Sequence, residues 1–252
     1  MKSTKESTNV VPVIFSLLPN KQEKTSVRLF SLLKTKLNFN PRVFKLDFET
    51  ATINAIKIVF PKTEIQGCNF HFNQAIWRKV QELGLVIQYR DQTEVRNHIR
   101  MCAALAHLPK EHIEDGWLTV METCPNDELV SKFNDYFISQ WLDYPTIDDM
   151  WICSGQRHRT TNSVEGWHSK LNRKIGKNHP NIFELITVLK EEAVLNTIKL
   201  QKLDLYIMPT PKRLKKYIDT DSRLKKTLND LKTNQIDLKK ALNRLVCIIK
   251  FE

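Results

Sequence analysis

The sequence predicts an α/β fold in which helices outnumber strands. We read a layered core over residues 9–83, an all-helical insertion over 84–156, and further core helices over 157–203. A basic, amphipathic helical tail follows over 212–252. Three observations carry this reading. Short apolar runs alternate with stretches of helical periodicity in the first third, and only helical patterns follow. Glycine is scarce, at 6 of 252 residues, which disfavours a turn-rich all-β chain. The charge changes sign where the pattern changes: residues 1–89 carry 13 basic and 6 acidic side chains, residues 90–155 carry 5 and 12, residues 157–202 carry 9 and 4, and residues 212–252 carry 12 and 5. An acidic block interrupting a basic chain is what an inserted subdomain would give, although acidic helices also serve simply to solubilise a face.

Element by element, Val10–Leu18 (VVPVIFSLL) is an apolar, β-branched run that predicts a buried strand. Ser26–Leu37 has apolar residues at helical spacing, and Val43–Leu46 after Pro41 predicts a second strand. Thr50–Phe60 predicts a helix stopped by Pro61. Glu64–Cys68 predicts a short third strand, and Phe70–Leu83 a helix ending at Gly84. Short connections of this kind suit parallel strands joined by helical crossovers. Residues 93–143 read as helical with stops near Pro109 and Pro125, and 162–175 and 181–203 as two further helices. From 212 onward leucines and isoleucines recur among lysines at helical spacing.

The length suits one large domain or two small ones, and 41% hydrophobic with 27% charged residues excludes wholesale disorder. No apolar run approaches the ~20 residues that cross a bilayer, and MKSTKESTNV lacks the apolar core of a signal peptide. Five scattered cysteines are too few for a disulfide framework and are read as reduced. The expectation is a soluble, intracellular chain with no membrane partner. Its net charge of +11 suits a polyanionic one.

Several residues are placed to do chemistry. Asp47 directly follows a strand, at the carboxyl end where open α/β sheets gather ligands. A carboxylate there suits a divalent cation, but Asp47, Thr50 and Thr52 are equally good helix N-caps. Glu165 either completes a capping box with Asn162 or points to the strand ends and shares a cation with Asp47. His168, three residues on, lies on the same helical face. Cys68-x-x-His71 has a spacing that suits zinc, with Cys153 and His158 as conceivable partners, but no second close pair completes four ligands, and a buried thiol with a hydrogen-bonded imidazole is the simpler account. Arg157 and Arg159 precede the Glu165 helix, and Arg173, Lys174 and Lys177 close it, a cluster suited to the phosphates of a nucleic acid. Trp77, Trp151 and Trp167 would stack bases or fill the core. Lys212-Arg213-Leu214-Lys215-Lys216 resembles a nuclear import signal, which would make the protein nuclear; charge runs also form ordinary solvated faces.

Taken together, Asp47-Phe48-Glu49-x-Ala51, Phe60-Pro61, Gly67-Cys68-x-Phe70-His71-Phe72-x-Gln74-Ala75 and Arg159-Thr160-Thr161-Asn162-Ser163-Val164-Glu165-Gly166-Trp167-His168 resemble the core of Mutator-like (MULE) transposases, over roughly residues 9–190. Pro12–Lys21 resembles the stretch that precedes the second catalytic acid in that family. The resemblance implies an RNase H-like fold with a helical insertion before the last acid. It also implies an Asp, Asp, Glu set holding two Mg²⁺ or Mn²⁺ ions for DNA cleavage and strand transfer. By correspondence Asp47 is the second acid, Glu165 the third, and Cys68 with His71 the family's C-x-x-H pair, for which zinc is a further cofactor.

The chain also departs from that pattern. The only carboxylates before Asp47 are Glu6 and Glu23, neither on a strand-like run. The first catalytic Asp and the central first strand are therefore missing, which leaves an incomplete RNase H-like core, truncated at its N-terminus. Two carboxylates hold two cations poorly, and the sheet should carry unpaired edges. We therefore expect a transposase-derived protein that is inactive alone, a retained DNA-binding or assembly module, or an incomplete gene model whose start lies upstream. DNA is the expected partner, with a second copy or an upstream transposase fragment as protein partner.

Overall fold

A strand forms only where a second strand accepts its backbone hydrogen bonds, and two of the three predicted strands meet that condition. The computed structural model describes residues 10–205 and 214–249. The first elements are helix α1 (Glu23–Leu37), strand β1 (Val43–Leu46), helix α2 (Thr50–Val59), strand β2 (Glu64–Gly67) and helix α3 (Asn69–Glu82). Then come α4 (Val86–Asp91), α5 (Thr93–Leu105), α6 (Ile113–Met121) and α7 (Glu128–Phe137), the last running into a π-helical turn over Ile138–Leu142. Helices α8 (Asn162–Ile175), α9 (Ile182–Asp204), α10 (Lys215–Lys232) and α11 (Leu238–Ile248) follow. The fold is mostly helical, with a small open sheet.

The chain divides into two units, each built from two separate stretches of sequence: 20–161 with 215–252, and 1–19 with 162–214. In the larger unit β1 and β2 pair in parallel, Val43 opposite Glu64 and Leu46 opposite Gly67, with α2 as the crossover. One side of this sheet is sealed by α1 and α2. Ile56, Val59 and Phe60 are buried there against Val27, Phe30, Phe39, Phe44 and Ile65. The phenylalanines meet mostly edge to face, Phe30 with Phe44 at 5.6 Å and Phe39 with Phe60 at 6.1 Å. The Lys34 ammonium lies over the Phe60 ring and donates to the Val59 carbonyl at 2.6 Å, answering an orphan carbonyl where α2 ends.

The main core of this unit lies under the helices. Phe72, Ile76 and Val80 of α3, Val95, Ile99 and Leu105 of α5, and Val130, Phe133 and Phe137 of α7 are buried together. Leu224 and Leu231 of α10 and Leu242 and Leu245 of α11 belong to the same core. The C-terminal helices are thus half apolar core and half basic surface, as their periodicity predicts. Asp127 caps α7, accepting from the Leu129 and Val130 N–H groups, and Asp237 caps α11 through the Lys240 N–H.

The expected strand Val10–Leu18 does not form. Residues 10–18 are irregular and fall in the smaller unit, where Val10, Val13, Ile14, Leu17 and Leu18 are exposed. The physical reason is the missing neighbour: β-branched residues favour extended backbone, but a strand with no ladder to join gains nothing from it. The sheet is correspondingly reduced to β1 and β2. In the smaller unit, Phe15 stacks on Trp167 of α8 at 5.3 Å. Helix α9 begins with a capping box, Asn181 with Glu184. Part of the import-signal-like segment, Lys212 and Arg213, lies outside the described residues.

Candidate functional site

β1 ends at Leu46, and Asp47 follows it with an exposed side chain. It is not the cap of α2. That position belongs to Glu49, whose backbone is extended and whose carboxylate makes no capping bond, accepting instead from the Thr52 hydroxyl at 3.1 Å. Among the described residues Asp47 has no hydrogen-bond or ion-pair partner, so the capping account fails and the carboxylate stays free for another role.

β2 ends two residues before α3 gets under way, and this junction places the Cys/His pair. Gly67 has no room for a side chain: a Cβ there would stand 2.5 Å from the Phe48 ring and 2.8 Å from the Met150 carbonyl. Phe48 in turn packs edge-on to Trp141 at 4.9 Å. Cys68 is fully buried, and its N–H donates to the Leu46 carbonyl at 2.9 Å, tying the end of β2 to the end of β1. Its sulfur accepts the N–H and the hydroxyl of Thr161, at 3.3 and 3.2 Å. His71 lies in the first turn of α3, with ligand atoms of Cys68 and His71 within 4.8 Å of each other. A thiol and an imidazole so close together could share a metal ion.

Beyond the strand ends lies a cavity of about 490 Å³ that Asp47, Glu49 and His71 all line, with Lys21, Arg78 and Trp141 among its other walls. Trp141 comes from the π-helical turn after α7. Two carboxylates and an imidazole suit a divalent cation, and two basic side chains suit the phosphate such an ion would bind. The three acceptor groups do not close into a cage: Asp47, Glu49 and His71 do not bring their ligand atoms all within 4.8 Å of one another. The donor set falls short of a two-ion centre.

Cys153 does not join Cys68 and His71 in a four-ligand zinc site. Its buried sulfur lies 3.5 Å from Nδ1 of the buried His107. Burial pushes the Cys153 thiol up to about 12 and His107 down to about 3, so both are neutral. His158 is exposed. Lys45, on the sheet face away from α1 and α2, donates to Gln156 at 2.7 Å and to the Gly67 carbonyl at 3.4 Å, and burial lowers its ammonium below the ordinary range.

The predicted phosphate-binding residues have different surroundings. Arg159 is part-buried and paired with Asp221 at 2.7 Å, while its carbonyl accepts from the Asn69 N–H at 2.8 Å. Arg157 is exposed. In the smaller unit Glu165 and His168 lie in the first two turns of α8, which opens at Asn162. At its other end Lys174 pairs with Glu191 and with the buried Glu192, at 3.0 and 3.2 Å. Lys177 pairs with Glu184 at 2.7 Å, and the exposed Arg173 donates to the Ser169 carbonyl. Much of this cluster therefore holds α8 to α9. Trp151 stacks on Phe72 in the core and Trp77 packs edge-on to Tyr89, so neither presents a face to a base.

Sequence reasoning missed Glu49, His107 and the Lys21–Arg78 pair. Glu49 stands two residues from Asp47 inside the quoted motif, and an acid so close to a strand end was itself a signal. No curated protein and no solved structure matches the chain. A profile of the MULE transposase domain matches residues 2–75, a stretch that contains Asp47, Glu49, Cys68 and His71, ends within α3, and leaves Glu165 outside it.

Proposed function

We propose that this chain is a MULE-type transposase derivative that binds DNA and does not cut it unaided, its β1–α2–β2 segment being the remnant of an RNase H-like core. The single observation carrying this reading is the family match over residues 2–75, which contain Asp47, with that carboxylate unpartnered at a cavity it shares with Glu49 and His71. Asp47 acts as the second acid and Glu165 as the third. The assignment of Glu165 rests on its place in the family motif.

A single Mg²⁺ or Mn²⁺ ion held there would polarise a phosphate as a Lewis acid, and the in-line displacement of the family would need a second ion that this donor set does not hold. The chain's own part is to offer oxygens from Asp47 and Glu49, to position His71, and to neutralise phosphate with Lys21 and Arg78. Among the described residues no carboxylate takes the place of a first acid: of the two before Asp47, Glu23 opens α1 and accepts from Asn54 at 3.0 Å, and Glu6 lies outside the described residues. A second copy or a complementing transposase segment would have to supply it.

The test is a nicking assay on supercoiled plasmid with Mg²⁺ or Mn²⁺, beside DNA binding measured against salt. We expect no metal-dependent nicking, and a binding constant that falls steeply with salt, as several phosphate contacts require. Robust nicking abolished by Asp47→Asn would establish a working enzyme and refute the inactive reading. No DNA binding at all would refute the DNA-binding one. Import into the nucleus through the lysines around Lys215 and Lys216 belongs to the same proposal, and a fluorescent fusion with both changed to Ala checks it.

A further inference from the structure

In the larger unit α10 and α11 line two cavities that adjoin, sharing Arg223, Cys247 and Ile248. The inner cavity, of about 920 Å³, runs under α10 to the start of α3, and Arg100, Arg159 and Lys216 also line it. The outer one, of about 710 Å³, lies between α10 and α11 and adds Lys226, Lys239, Lys240 and Arg244. Asp219 and Asp237 are the acids on these walls, and Asp237 is spent capping α11. Arg159 is paired with Asp221, Arg244 with Asp230 and Lys239 with Glu122. Among the described residues Lys216, Arg223, Lys226 and Lys240 pair with no acid, so with Asp219 as the one uncommitted acid the groove keeps a net positive charge.

Its inner end has the marks of a built seat. Asn69 is only 8% exposed, and its side-chain amide nitrogen has no acceptor among the described residues. The Nε of Arg100 is buried and equally without one, while its Nη2 donates to the Val246 carbonyl at 2.8 Å. Leaving two buried donors unsatisfied costs stability. Asn69 and Arg100 both line the inner cavity, so a ligand with acceptor oxygens there meets both side chains. Four free cations leading outward along two helices suit a ligand with further negative charges at regular intervals.

We propose that this groove is a nucleic-acid site, with one phosphate of the backbone seated at Asn69 and Arg100 and the following ones passing Lys216, Arg223, Lys226 and Lys240. This rests on the DNA-binding reading above and adds a contact surface on α10 and α11 to Lys21 and Arg78. The site contacts phosphates alone, so it is insensitive to base sequence.

The experiment is fluorescence anisotropy with a labelled single-stranded oligonucleotide and the same sequence as duplex, across a salt series, on the full chain. The variant R223E/K226E/K240E reverses three exposed charges that hold no partner, and R173E/K174E/K177E is the comparison on α8. We expect the groove variant to weaken binding at least about tenfold and to flatten the salt slope by about two, at roughly 0.7 to 0.9 per lost phosphate contact. Asn69→Asp, which keeps the side-chain size and sets a carboxylate against the phosphate, should lower affinity several-fold. Matching thermal melts show that each variant is folded. Unchanged binding by the groove variant with loss in the α8 variant overturns the groove and leaves the DNA-binding reading standing. Failure of the unaltered chain to bind either oligonucleotide overturns both. Binding to phosphatidylserine vesicles in preference to oligonucleotides overturns the choice of ligand.

Discussion

Thr161 gives both of its donors, the backbone N–H and the hydroxyl, to the sulfur of Cys68. A residue far along the chain is thereby fastened to the point where β2 passes into α3. Thr161→Val keeps the shape and the N–H bond but loses the hydroxyl. It should lower stability by about 1 kcal/mol, read as a shift in the urea midpoint. In the folded protein a thiol reagent should label the exposed Cys247 quickly, and reach the buried Cys68, Cys102 and Cys153 only on unfolding.

His107 sets an acid limit on stability. Burial lowers its folded value to about 3 from an ordinary 6.5, so the unfolded chain binds the proton first. The neutral ring's contribution is complete above about pH 6.5 and is lost as pH falls from there toward 3, amounting to about 3 kcal/mol at pH 4. His98, lowered by burial while hydrogen-bonded to Asn134, acts in the same sense. Urea midpoints between pH 7 and pH 4 should fall steeply in the parent chain and less steeply in His107→Gln.

Gly67 answers to space alone. A methyl group there meets the Phe48 ring and the Met150 carbonyl, and the backbone oxygen cannot step aside. Gly67→Ala should cost about 1–3 kcal/mol. It should also disturb Phe48 against Trp141, which tryptophan fluorescence would register.

Leu242 of α11 is fully buried in the core shared with α5 and α7. Leu242→Ala should destabilise by about 2–5 kcal/mol, in one cooperative transition with the rest of the larger unit. A dispensable tail would give almost no change, and a separate early transition in circular dichroism would also contradict this.

The sequence made the local elements legible wherever local rules decide them. Helices α1, α2 and α3 lie close to where periodicity and breakers put them, and β1 and β2 where short apolar runs put them. Val10–Leu18 was misread because strand formation depends on a partner, and no local pattern reports whether the partner exists. The cap reading of Asp47 failed for a finer reason: α2 starts at Thr50, as expected, and the residue directly before it, Glu49, holds the capping position. Asp47, Cys68 and His71 were visible because the strand ends gather such residues. Glu49 and the His107–Cys153 pair were not, since only the folded chain brings them to their neighbours.

The two units are threaded through one another along the sequence, the polypeptide leaving one for the other after residues 19, 161 and 214. During synthesis the ribosome releases α1 to α7 first, then all that remains of the smaller unit, and only afterwards α10 and α11. The apolar sides of α5 and α6 therefore wait uncovered until α11, which packs on both, has emerged. The main core can close only after α11 has been made, so a nascent chain exposes those apolar sides over that interval.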